Sequence, residues 1–116
     1  GNAGEIALNS SGDITTSTGN LDAYSLTTTG NTGTGGNISL SSANGNVSTR
    51  SLNSYAQTNS GTAGNAGSIT ANAAGSFTTN NSGITARSRS NSNGASGNGG
   101  QVDITATSVS TGTGSI

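Results

Sequence analysis

The chain contains no cysteine, histidine, methionine, tryptophan, proline or lysine. Without cysteine there is no disulfide and no thiolate metal site, and without histidine no imidazole ligand or base. Charged residues make up 6% and aromatic residues 3% of the sequence. A net charge of -1 supplies no electrostatic reason to bind nucleic acid or an anionic membrane. The three arginines, Arg50, Arg87 and Arg89, form no recognisable motif. No apolar run reaches the length of a membrane span or a signal peptide. The expectation is therefore no nucleic-acid partner, no membrane insertion and no cofactor.

Glycine, serine, threonine and asparagine dominate what is present, and only 27% of residues are hydrophobic. Composition alone places such a chain with flexible, low-complexity sequences, which have little apolar surface to set against chain entropy. Its low charge separates it from most disordered chains. At 116 residues it is one domain or part of a larger protein. It begins at Gly1 and stops mid-pattern at Ile116, which reads as an excerpt or processed part of a longer secreted chain.

A repeat organises the sequence. The glycines Gly4, Gly36, Gly67 and Gly100 are spaced by 32, 31 and 33 residues, and Ile6, Ile38, Ile69 and Val102 keep the same spacing. Two positions on, a second inward residue of the same strand is Leu8, Leu40, Ala71 or Ile104. Further apolar columns follow: Ile14, Val47, Phe77 and Val109, then Leu21, Leu52, Ile84 and Ile116. Columns aligned over three units and a fragment define a period. The chain divides into repeats 4–35, 36–66, 67–99 and a partial 100–116 within a single segment, 1–116.

Each unit has a first strand with two inward residues, a tight turn, a second short strand, a turn and a third. The polar segments Leu26 to Gly35, Gln57 to Ala66 and Ser88 to Gly99 carry no periodic apolar residue and read as a loop bulging from the coil. No stretch has helical periodicity. One unit buries about four side chains at roughly 1.5–3 kcal/mol each, against about 1–2 kcal/mol per residue for ordering it. A unit cannot fold alone, whereas stacked units pair both edges of every strand and merge their apolar columns. The predicted fold is all-β: a parallel β-helix (β-solenoid), one coil per repeat.

Two columns support stacking. Glu5 aligns with Asn37, Ser68 and Gln101, and Asp13 with Asn46, Ser76 and Ser108, so no ladder of like charges forms. Tyr24, Tyr55 and Arg87 also align, which predicts a surface stack of two aromatic rings capped by a guanidinium.

The opening Gly35-Gly36-Asn37-Ile38-Ser39-Leu40, the second strand Gly45-Asn46-Val47-Ser48-Thr49 and the Ser/Asn/Gly-rich segments resemble repeats of filamentous-haemagglutinin-like exoproteins, in the Gly/Asn/Ser/Thr-rich form common in cyanobacteria. The resemblance covers essentially the whole chain. It implies a right-handed β-helix, exported across the outer membrane by a two-partner route and acting as an adhesin or surface fibre. It brings no catalytic residues. Right-handedness also agrees with the general preference of parallel crossovers.

Other chemistry finds little footing. An enzyme on a β-helix needs clustered carboxylates or an adjacent basic residue, yet Glu5, Asp13, Asp22 and Asp103 fall in separate positions and Arg87 and Arg89 have no acid beside them. The run Gly30 to Gly36 has the glycines of a calcium-binding or phosphate-binding loop without its carboxylates or lysine. Sequons at Asn9, Asn37, Asn46 and Asn80 are expected by composition. Threonines at 15–16, 27–29, 78–79, 105 and 107, with the second-strand column Thr16, Thr49, Thr79 and Thr111, suggest a hydroxyl and methyl array like that of ice-binding helices. The expected role is structural: an extracellular or cell-surface module that self-associates into a filament and touches glycans, with an ice- or glycan-binding face as the alternative.

Overall fold

The computed structural model describes residues 1–116 and contains twelve β-strands and no helix. In chain order these are β1 (Ile6–Ser10), β2 (Ile14–Thr16), β3 (Leu21–Asp22), β4 (Ser25–Thr29), β5 (Ile38–Ser42) and β6 (Val47–Thr49). Then follow β7 (Leu52–Ser60), β8 (Ile69–Ala73), β9 (Ser76–Thr78), β10 (Ile84–Ser90), β11 (Val102–Thr105) and β12 (Ser108–Ser110). Every pairing is parallel and joins strands of neighbouring repeats. One sheet runs β1-β5-β8-β11, a second β2-β6-β9-β12, and a third joins β10 to β7, which pairs in turn with β3 and β4. This is a parallel β-solenoid.

The register superposes like on like. Ile6 pairs with Ile38, which pairs with Ile69, which pairs with Val102; Leu8, Leu40, Ala71 and Ile104 do the same. Ile14, Val47, Phe77 and Val109 form the next column, and Leu21, Leu52 and Ile84 another. Alternation explains why these residues make strands: each second side chain is turned inward, and the branched ones among them fit the pleat. Leu40, Val47, Leu52, Ile69, Ala71 and Phe77 are fully buried in one core.

The outermost coil departs from the expected core. Val109 is 48% exposed and Ile116 is 68% exposed, because each has a neighbouring coil on one side only. Ile116 lies outside any strand, although the carbonyl of Ser115 still accepts from the Ile84 amide at 2.8 Å.

The expected bulging loop is also corrected. Strands β4, β7 and β10 run on into it, with inward columns Ser25/Ala56/Ser88 and Thr27/Thr58/Ser90. The return segments stack too: Thr32 donates to Thr62, Ala63 to Ala95, and Ala66 to Asn98 through their backbones. The outgoing and returning walls approach so closely that only small residues fit between them. Ala63 is buried here, and the Ser88 and Ser90 hydroxyls donate to the carbonyls of Gly64 and Gly61. The segment is a thin flange of the coil, built on serine, threonine, alanine and glycine where the main core uses isoleucine and leucine.

Glycine makes the close approach possible at the corner. A Cβ on Gly36 would strike the Gly4 carbonyl oxygen, one on Gly67 the Gly36 carbonyl, and one on Gly100 the Gly67 carbonyl. The column therefore stays glycine wherever a coil lies beneath it. Gly67→Ala is expected to destabilise the fold by about 1–3 kcal/mol through overpacking. Gly4→Ala, whose methyl meets nothing within 4 Å, should stay within about 0.5 kcal/mol; urea unfolding followed by circular dichroism compares them.

The second-strand threonine column points inward, contrary to the outer array expected for it. Thr49 and Thr79 are fully buried, and Thr16 is paired beside Thr49. Thr79 and Thr111 donate to the carbonyls of Ser82 and Gly114, three residues on. The hydroxyls of Thr16 and Thr49 are buried without a partner. After Thr49 only Arg50 and Ser51 precede the next strand, whereas four residues, Asn80 to Gly83, follow Thr79; Thr16 is followed by four, Ser17 to Asn20, and is unpartnered all the same. Replacing an unpartnered buried hydroxyl by methyl removes a desolvation cost, so Thr49→Val should stabilise by about 1 kcal/mol. Thr79→Val should instead cost about 1 kcal/mol, since Ser82 loses its donor, and thermal melts of the two variants should move in opposite directions.

Candidate functional site

Outward side chains of the third sheet form the most differentiated surface of the molecule. Tyr24 and Tyr55 stack with ring centroids 4.6 Å apart and planes within 1° of parallel. Arg87 pairs in register with Tyr55 and holds its guanidinium carbon 5.5 Å from that ring's centroid. Two chain positions on, the column reads Leu26, Gln57 and Arg89, and Arg87 also donates to the Gln57 Oε1 at 3.1 Å. On the other flank, Asn53 donates from Nδ2 to the Asp22 carboxylate at 2.7 Å. Tyr24 is 41% and Leu26 56% exposed, so the ladder is a surface feature with one apolar edge. Parallel in-register pairing sets its geometry, since it holds equivalent positions about 5 Å apart in the hydrogen-bonding direction.

Burial raises the Tyr55 phenol pKa above its ordinary value, with Tyr24 and Asp22 adding to the rise and Arg87 opposing it. A raised folded-state pKa means that the fold prefers the neutral phenol. The stability this contributes is present below the unfolded value, about 10, and is lost as pH rises through the folded value. In a Tyr24→Phe background Tyr55 is the only phenol. There, Arg87→Gln should move its titration to still higher pH, read from the ultraviolet absorbance of the phenolate.

A second ladder went unseen in the sequence. The Oδ1 atoms of Asn2, Asp13, Asn31, Asn37, Asn46, Asn65 and Asn81 accept from the backbone amides of Thr34, Asn46, Thr62, Ser68, Ser76, Asn98 and Thr113 respectively, at 2.7–3.1 Å. Each partner occupies the corresponding place in the next coil. At corners the backbone bends away from ladder geometry, and the short Asx side chain supplies the acceptor that the carbonyl does not. The carboxamides of Asn37 and Asn46, both within sequons, are thus engaged in the stack. The available signal was the recurrence of Asn or Asp at turn positions, which composition masks.

The remaining outward threonines do not share one column. Thr15 and Thr78 lie with Ser48 and Ser110 on the second sheet, while Thr105 lies with Asn72 on the first. Each acid aligns with a neutral neighbour: Asp103 with Thr70, and Asp22 with Asn53. No three acids gather into a metal-ligating group, and no cavity opens on the surface. No helix is long and apolar enough to cross a membrane. Compared with protein-family models, with curated proteins and with solved structures, the chain matches none of them.

Proposed function

We propose that the chain is a structural β-solenoid module of a bacterial surface fibre or adhesin, working outside the cell through coil-on-coil stacking. The observation carrying this reading is the state of its sheet edges. Proteins that remain monomeric blunt exposed edges with lysine, proline or bulges. This chain has neither lysine nor proline. Its outermost strands β1, β2, β11 and β12 keep the column residues of the inner ones, in register. Val102 and Ile104 lie only half-buried against the core, so a further coil of the same repeat would cover them.

The sequence resemblance to haemagglutinin-like repeats supports an exported, surface-borne role. Outward hydroxyl and carboxamide columns suit hydrogen bonding to glycans on a neighbouring surface. Sedimentation velocity and electron microscopy of the purified protein test the assembly directly. Linear oligomers that lengthen with concentration are expected, and Ile104→Lys, which sets a charge at the open edge, should reduce them to monomers. Compact monomers of the unaltered protein at every concentration would sink the proposal.

A further inference from the structure

The tyrosine ladder offers a covalent chemistry independent of the fibre reading. The chain has no cysteine, methionine, tryptophan or histidine, and its two tyrosines are Tyr24 and Tyr55. All of its readily oxidised side chains are therefore in one place. Their rings lie face to face at 4.6 Å on an exposed sheet surface, held by the parallel pairing of β4 and β3 with β7. Arg87 shields the far face of Tyr55, so Tyr24 is the ring that Tyr55 meets.

We propose that Tyr24 and Tyr55 are an oxidative cross-linking site, at which a one-electron oxidant of the peroxidase or photosensitiser class staples neighbouring coils through a dityrosine bond. Each phenol gives one electron to the oxidant and its proton to water. The two phenoxyl radicals pair to form one carbon–carbon bond between ring positions ortho to the oxygens. The two ring hydrogens at those carbons then move to the oxygens and restore both aromatic rings. Two oxidant equivalents are reduced, and the protein loses two hydrogen atoms in all. The staple closes a loop across one whole coil and restricts the unfolded chain.

The probe is a photogenerated ruthenium(III) polypyridyl complex with persulfate as terminal electron acceptor. Arg50 lies between the two tyrosines and no lysine is present, so trypsin separates them unless they are bonded. The expected result is monomer lighter by two hydrogens, and a tryptic species joining peptide 1–50 to peptide 51–87. With the pair held at millimolar effective concentration or above, the intramolecular product should exceed intermolecular dimer about a hundredfold at ~10 μM protein. Stapled protein should also melt at a higher temperature.

The double variant Tyr24→Phe with Leu26→Tyr moves one phenol opposite Gln57, diagonal to Tyr55. With the fold checked by circular dichroism, its intramolecular yield should fall at least about tenfold, because near-attack geometry is lost. Three outcomes would overturn the site: dimer as the main product, oxygen addition to tyrosine without the joined peptides, or equal yield from the displaced variant or from urea-unfolded protein.

Discussion

Parallel stacking at the spacing of a β-sheet is the constraint from which the other features follow. About 5 Å separates equivalent positions, so every side chain is judged against its own counterpart in the coils above and below. An isoleucine beneath an isoleucine extends the core, and a carboxylate beneath a carboxylate would repel. Asp22 meets Asn53 and Asp103 meets Thr70, which keeps each charge beside a neutral neighbour. A chain with 27% hydrophobic residues can hold one apolar core because its few large apolar side chains are concentrated into continuous columns.

The same constraint divides each coil into two differently built regions. Around Leu40, Leu52 and Phe77 the walls stand apart, and branched or aromatic side chains fill the space. In the flange they close, and hydroxyls of Ser54, Thr58, Ser88 and Ser90 donate to the carbonyls of Gly36, Gly30, Gly64 and Gly61 respectively. Glycine permits the approach, and the serine or threonine hydroxyl satisfies the carbonyls exposed by it. The abundance of these residues, which resembles disorder in a composition table, answers two separate demands of one packed region.

The apolar columns and the Tyr24, Tyr55 and Arg87 alignment were legible in the sequence because large side chains are scarce and their spacing stands out. Everything carried by small residues was harder to read. The flange columns Ser25/Ala56/Ser88 keep the repeat spacing faithfully, but serine and alanine alternate just as well in a flexible segment. The Thr49 and Thr79 column reads in the sequence as part of an outer hydroxyl and methyl array, whereas the narrow corner takes a side chain of that size inside. Ile116 and Val109 have the right residue type and spacing. Burial, however, depends on a coil beyond them, which spacing alone does not supply. The asparagine caps were hidden by their own frequency.

Those caps have a direction. In all seven the side-chain oxygen belongs to the earlier coil and the amide to the later one. At these corners the two faces of a coil are therefore chemically unequal, one offering side-chain acceptors and the other backbone donors, like the two sides of a printed page and its impression. An inverted neighbour would set acceptors against acceptors, and a neighbour offset by part of a unit would find no matching amides. Growth of such a protein by gene duplication is thereby quantised: whole units added in the same sense extend the lattice, and fractions of a unit break it.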